Sequence, residues 1–393
     1  MRYTFEAYEI DTERLELAAY GERVRIEPQV FDLLVYLIDH RGRVVGKDEL
    51  LDQVWKGRIV SLSTLTSRIN AARAAIGDDG TSQRLIKTVA RRGYRFVGDV
   101  AASGGRPATS LTLPGLHQSI RFCRSSDGVR IAYATAGSGA PVVKAGNWMN
   151  HLEHDWQSPV WSHLLHWLAG RHHLVRYDAR GNGLSDWDAA EISLEAFVRD
   201  LEAVVETAGL SRFVLFGASQ GCAVSIAYAA RHPERVERLV LYGGFARGRS
   251  LRGSYQDASQ AEAMLTLMRT GWGQENPAFR QMFTSLFIPG GSAEQMSWFN
   301  DLQRKTTSPE NAVRIRQVSD TLDVRHLLER VSVPVLVLHC RGDAVQPFEE
   351  GRLLAAGMPN ARFVGLDGSN HLILESDPCW PAFQAEVEGF LAG

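Results

Sequence analysis

Residues 213–236 read FVLFGASQGCAVSIAYAARHPERV, and the order of residue types in this stretch decides the fold. Phe213-Val214-Leu215-Phe216 is a short apolar run of branched and aromatic side chains, which suits a strand buried on both faces. From Gly221 to His232 small and apolar residues follow without a break, which suits a helix packed on that strand. Between them stands Gly217-Ala218-Ser219-Gln220-Gly221. The small residues at 217 and 221 permit a tight, strained turn that lifts Ser219 above the sheet and onto the N-terminus of the following helix. A Gly-x-Ser-x-Gly string is common by chance; a strand before it and a helix after it make it the setting of a nucleophile.

Working outward, apolar runs alternate with helical patterns: RIAYATAG, PVVKAG, HHLVRYD, a helix over 194–207, the quoted stretch and RLVLYGG. About 246–330 interrupts the alternation, which resumes with VPVLVLHC, a helix over 348–357, ARFVGLD and a helix over 381–391. Such alternation predicts a mostly parallel sheet covered on both faces, class α/β. The interruption carries Met264, Leu267, Met268, Trp272, Phe279, Met282, Phe283, Phe287, Trp298 and Phe299 at partly helical spacing, as a helical lid would. Such a lid favours an apolar or aromatic ligand.

A serine hydroxyl is a poor nucleophile near neutral pH; it needs an imidazole to take its proton and a carboxylate to fix that imidazole's tautomer. Asp343 follows VPVLVLHC and His371 follows ARFVGLD, each just beyond a strand's carboxyl end, where open α/β sheets place their sites. The expected catalytic set is therefore Ser219, Asp343 and His371. An oxyanion hole needs two N–H groups, expected from Gln220 and from Asn147 or Trp148 in the loop after PVVKAG. His151 and His154 are three apart without an evident third ligand, so no metal and no other cofactor is expected.

Over about 118–393 these motifs, together with YDARGNGLS at 177–185, resemble the α/β-hydrolase family. NWMNHLEHDWQSPVW and HCRGDAVQPFEEGR are similar to the branch found beside adenylate cyclase and transcription-factor modules. The resemblance implies that the glycines of 177–185 shape a turn and do not cradle a phosphate. This chain departs from the family at Ala145-Gly146, where a His-Gly pair is usual, and at Cys222, where glycine is common and a thiol could crowd the turn.

The first hundred residues have another grain. Short alternating runs (TFEAYEI, RLELAAY, RVRIE) predict antiparallel strands; helices follow over 29–40, 47–55 and 63–76, and RLIKTVARRGYRFVGDV predicts a hairpin turning at Arg91-Arg92-Gly93. Residues 41–95 hold twelve Lys or Arg against five acids, a polarity suited to meeting phosphates. FDLLVYLIDHRGRVVGKDELLDQVWKG, STLTSRINAARAAIGD and IKTVARRGYRF resemble the OmpR/PhoB-type winged helix-turn-helix, in the version of ToxR- and CadC-like regulators. The resemblance implies a third helix in the major groove of double-stranded DNA, with Ser63, Thr64, Ser67, Arg68 and Asn70 near bases or phosphates and Arg73 toward the backbone. Ser61 or Ser63 would cap that helix, and the wing would bring Thr88, Arg91 and Arg92 to the neighbouring minor groove.

The expected layout is a DNA-binding domain at 1–100, a Gly-, Ser- and Pro-rich linker at 101–117 and a hydrolase domain at 118–393. With 393 residues, 45% hydrophobic and 22% charged, and a formal charge of −2, the chain fits two ordinary globular domains, and net charge names no partner. No basic-apolar leader or long apolar span is visible, and the four cysteines show no Cys-x-x-Cys pair, so a cytoplasmic protein with reduced thiols and no membrane partner is expected. The fusion predicts a one-component transcriptional regulator, acting as a homodimer, whose hydrolase domain senses a small ester, lactone, acyl or aromatic ligand. The alternative is an active serine hydrolase with a DNA-binding head.

Overall fold

Alternation in the first two dozen residues produces a meander in the computed structural model, which describes residues 2–12, 14–55, 62–89, 92–103, 116–274 and 277–392. The chain divides into two units, 1–109 and 110–393. The first runs β1 (Arg2–Phe5), β2 (Tyr8–Asp11), β3 (Glu16–Ala19), β4 (Glu22–Val24), α1 (Pro28–Asp39), β5 (Val45–Gly46), α2 (Lys47–Trp55), α3 (Leu62–Ala75), β6 (Ile86–Val89), β7 (Gly93–Phe96) and β8 (Ala101–Ser103). Two sheets result, ordered β4-β3-β2-β1-β8 and β5-β7-β6.

Phe5, Ile10 and Leu17 point inward, and α1 buries Val30, Phe31, Leu33, Leu34, Leu37 and Ile38 against them. Tyr36 lies at the edge of this face and donates to Glu49 Oε1 at 2.8 Å. Pro28 opens α1 where no backbone N–H is needed. Leu65, Ile69, Ala72 and Ile76 give the third helix its apolar stripe toward α1. Ala101–Ser103, expected in the linker, instead pair with β1 (Arg2 with Ser103, Thr4 with Ala101). Residues 104–115, Ser61 and Arg91 lie outside the described residues.

The second unit runs β9 (Ser119–Arg124), β10 (Arg130–Ala136), β11 (Pro141–Lys144), α4 (Leu152–Trp156), α5 (Ser162–Ala169), β12 (His173–Tyr177), α6 (Leu194–Thr207), β13 (Phe213–Ala218), α7 (Gln220–Arg231) and β14 (Val236–Tyr242). Four helices of the insertion follow: α8 (Tyr255–Gly271), α9 (Pro277–Phe287), α10 (Ala293–Thr306) and α11 (Pro309–Thr321). The scaffold closes with β15 (Val335–Cys340), α12 (Phe348–Gly357), β16 (Ala361–Leu366) and α13 (Trp380–Ala392).

The sheet order is β9-β10-β12-β11-β13-β14-β15-β16, antiparallel at β9-β10-β12 and parallel from β12 onward. All six residues of β13 and of β15 are buried, which is why both read as near-continuous apolar runs, broken in β15 only by His339. The chain steps to opposite sides of β11, to β12 and to β13, so a crevice opens at the carboxyl ends of β11 and β13. The loop after Lys144 and the turn at Ser219 both emerge there.

Candidate functional site

Ser219 sits between β13 and α7 with φ 52° and ψ −124°, in the left-handed region that a non-glycine residue rarely takes. The turn closes tightly around it. A side chain at Gly217 would meet Ser225 Oγ at 2.7 Å, and one at Gly221 would meet the Gly146 carbonyl at 3.1 Å. Cys222 does not crowd the elbow: its thiol is buried, donates toward the carbonyls of Gly217 (3.3 Å) and Tyr242 (3.5 Å), and occupies space left by the bare Gly244.

The three expected residues meet. Ser219 Oγ lies 2.8 Å from His371 Nε2, and His371 Nδ1 lies 2.6 Å from Asp343 Oδ2. The other carboxylate oxygen, Oδ1, accepts the N–H groups of Val345 (2.8 Å) and Gln346 (2.9 Å). Burial pushes the Asp343 carboxyl up, but the charge and hydrogen bond of His371 and the Gln346 N–H outweigh it, holding the group below its ordinary value. An ionised Asp343 makes Nδ1 the donor and leaves the Nε2 lone pair facing the serine hydroxyl, the tautomer that proton abstraction requires. His339 was not expected here: its Nε2 lies 3.6 Å from Asp343 Oδ2 and 3.0 Å from the Gln346 carbonyl, and burial lowers its basicity.

Gln220 heads α7, so its N–H belongs to the unsatisfied first turn of a helix. Gly221 brings this turn against the Ala145-Gly146 carbonyls, placing the Asn147-Trp148 loop beside the elbow. Gly146 has no room for a side chain beneath the Tyr177 ring (2.9 Å).

Above the site the insertion supplies an aromatic roof. Phe287 sits edge-on to the His371 ring at 5.3 Å and stacks on Phe283 at 4.9 Å, while Trp148 stacks on Trp272 at 5.7 Å. Leu267 and Met282 face outward. His154 stacks on Trp298 at 4.2 Å, and His151 Nδ1 caps α4 by accepting the His154 N–H. Among the described residues no group of three or more His, Cys, Asp or Glu is placed to hold a metal. Gly181 and Gly183 take φ 77° and 54° in the 177–185 turn, whose Arg180 is buried between Asp200 and Asp127.

In the first unit, Ser63, Ser67, Asn70, Thr88 and Arg92 are exposed, and Thr64 and Arg68 half-buried. Arg68 pairs with Glu27. The placement of Arg73 corrects the expectation of a backbone contact: it is 4% exposed, with Nε and Nη2 donating to the Ile86 carbonyl (3.1 and 2.8 Å) and Nη2 to Thr88 Oγ1 (2.9 Å). It ties α3 to the wing strand β6. Ser63 falls inside the first turn of α3 and is not its cap.

Residues 145–378 match the family model described as alpha/beta hydrolase fold. The chain belongs to that family. Residues 21–96 match the model for the C-terminal domain of transcriptional regulatory proteins, so a winged-helix DNA-binding domain of the OmpR/PhoB type precedes the hydrolase fold. The AB hydrolase superfamily protein YisY of Bacillus subtilis is 24% identical over 256 residues, 64% of this chain and 91% of that protein. The transcriptional activator CadC of Escherichia coli is 37% identical over 83 residues, 21% of this chain and 16% of CadC. The esterase RhEst1 from Rhodococcus sp. ECU1013 superposes with a TM-score of 0.56 at 25% identity, covering 70% of this chain and 99% of the esterase. No helix among the described residues is long and apolar enough to cross a membrane.

Proposed function

We propose that this chain is a one-component transcriptional regulator whose hydrolase-fold domain binds a small ester, lactone, acyl or aromatic compound and thereby alters DNA binding by the head. The observation that carries the reading is one continuous hydrogen-bonded line, Ser219–His371–Asp343, in a chain that also holds a winged-helix DNA-binding domain. In the reaction proposed, Ser219 Oγ attacks an acyl carbon as His371 Nε2 takes its proton, and Asp343 stabilises the imidazolium. The developing oxyanion is received by the Gln220 N–H and by that of Asn147 or Trp148. His371 then returns the proton to the leaving group, and water releases the acyl group by the reverse sequence.

Likeness to an esterase supports ester chemistry, and the roof of Trp148, Trp272, Phe283 and Phe287 supports an apolar or aromatic ligand. Ser63, Thr64, Ser67, Arg68, Asn70, Thr88, Arg91 and Arg92 are the proposed DNA contacts. We place the protein in the cytoplasm as a homodimer, the symmetric state that would read a two-fold operator. A ligand can switch such a protein only by binding its DNA-competent and incompetent arrangements unequally. A second reading, an active hydrolase that its head merely localises, is favoured by the completeness of the hydrogen-bonded set.

One experiment separates the two. A fluorophosphonate forms an Oγ–P bond at the serine and expels fluoride, leaving an adduct that mimics an acyl ligand. We expect wild type to be labelled and Ser219→Ala not, and duplex affinity in a gel-shift titration to change on labelling only in wild type. Labelling without any change in DNA affinity would leave the enzyme reading and remove sensing.

A further inference from the structure

Lys144 ends β11, in register with Arg176 of β12 and Phe216 of β13, at a sheet position where Val142 and Val143 before it are fully buried. An ammonium there is costly, because burial removes its hydration and an apolar residue would pack as well. Its contacts are specific. It lies 4.9 Å above the Trp161 ring centroid and donates at 2.5 Å to Asn147 Oδ1. Asn147 Nδ2 in turn donates to the Trp148 carbonyl at 3.0 Å, and the next residue, Met149, is held at φ 61°.

The charged and titratable groups that face this amine are Asp155 of α4, Arg176 of β12, Asp178 beyond β12 and Cys222 of α7. Neither carboxyl group bonds to the amine. Asp155 lies 3.8 Å from Arg176 and accepts the His151 N–H, while Asp178 accepts N–H groups from Asn150, Leu152 and Leu184. A carboxylate bonded to Lys144 would cancel its field, whereas a neutral amide relays the bond and leaves the charge directed at the loop.

We infer that Lys144 is a positioning residue for acyl transfer at Ser219: through Asn147 it sets the loop that carries the second oxyanion donor and places positive charge behind it. The inference rests on the hydrolytic reading above. Only the tetrahedral intermediate carries the added negative charge, so a fixed cation behind the donors favours it over the neutral substrate. Burial lowers the amine to about 8, so it remains largely protonated near neutral pH and loses its charge in the alkaline range.

The test is the rate of fluorophosphonate labelling of the full chain from pH 6 to 10, beside thermal melting, for wild type, Lys144→Met and Asn147→Ala. Lys144→Met should label at least about tenfold more slowly at pH 7 yet melt no lower than wild type, since a buried charge has been exchanged for an apolar side chain of similar length. Wild type should lose rate above about pH 8 in a step that Lys144→Met lacks. Asn147→Ala, which keeps its backbone N–H, should also slow labelling. Equal rates in wild type and either variant, or a melting temperature that falls in step with the rate, would overturn the inference while leaving the hydrolytic reading intact. No labelling of wild type would refute both.

Discussion

Replacing Arg73 by methionine separates two roles that a cation on the third helix of a DNA-binding head can have. Methionine keeps an unbranched apolar stem but removes the donors that reach the Ile86 carbonyl and Thr88 Oγ1. Hydrogen bonds from a charged donor contribute about 1.5–3 kcal/mol each, and here two share one acceptor, so the expected loss is about 3 kcal/mol, concentrated where α3 meets β6. In the full chain this should speed hydrogen exchange of the 86–89 amides by about a hundredfold through local opening. DNA affinity should fall because the wing is less well held, with the dependence on salt unchanged. A residue that neutralises a phosphate behaves differently: its loss lowers the slope of log affinity against log salt by about 0.9. Unaltered wing exchange together with a slope reduced by about that amount would refute the structural assignment of Arg73 and restore the backbone contact.

Two further predictions concern the hydrolase unit. A methyl group at Gly183, held at φ 54°, would overlap the Asp178 carboxylate, which three N–H groups hold in place. Gly183→Ala should therefore cost at least about 3 kcal/mol and lower the melting temperature by roughly 6–12 °C. Gly209→Ala, at φ 67° with open space around it, should cost only about 1–2 kcal/mol; equal losses in calorimetry would refute the steric part of the argument. For Lys144 the amine titrates near 8 when folded and near 10.5 when unfolded. Below pH 8 both states are protonated and the burial penalty, about 3 kcal/mol, is present in full. Between 8 and 10.5 the unfolded chain binds more protons, so this contribution to stability rises with pH. The stability advantage of Lys144→Met in urea melts should accordingly shrink between pH 7 and 10, and a constant difference would contradict a buried, charged lysine.

Much of this was legible because buried strands declare themselves. VLVLHC and FVLFGA are near-continuous apolar runs because both faces of β15 and β13 are covered, and the small residues around Ser219 mark a turn with no room for side chains. The strand β9 is not legible because it is an antiparallel edge in which only Cys123 is buried, so SIRFCR runs on into SSDG without a buried apolar stripe. The role of Arg73 is hidden for a different reason. An arginine on that helix resembles a phosphate contact, and its burial depends on a carbonyl thirteen residues onward. That carbonyl is brought back by Asp78, which accepts the N–H groups of Arg84, Leu85 and Ile86. Nothing local to residue 73 encodes this. Lys144 did leave a signal, one cation closing the apolar run PVVK, but its partner Asn147 becomes apparent only once the loop folds back. His339 shares a strand with Cys340, and its approach to Asp343 depends on the turn between them.

The proton-accepting histidine is not held by the scaffold alone. The His371 N–H donates to the Phe287 carbonyl at 2.8 Å, the Gly290 N–H donates to Asn370 Oδ1 at 2.8 Å, and the Phe287 ring stands on the imidazole. Residues 287 and 290 lie at the end of α9 and just beyond it, in the insertion. A ligand whose bulk displaced α9 would therefore pull on the main chain that carries His371, whereas Ser219 is fixed by β13 and α7. Misplacement of reacting groups by about 1 Å can cost a hundredfold in rate without abolishing binding. Within the proposed function, a ligand whose bulk moved α9 would slow turnover by drawing His371 away from Ser219 while its binding persisted.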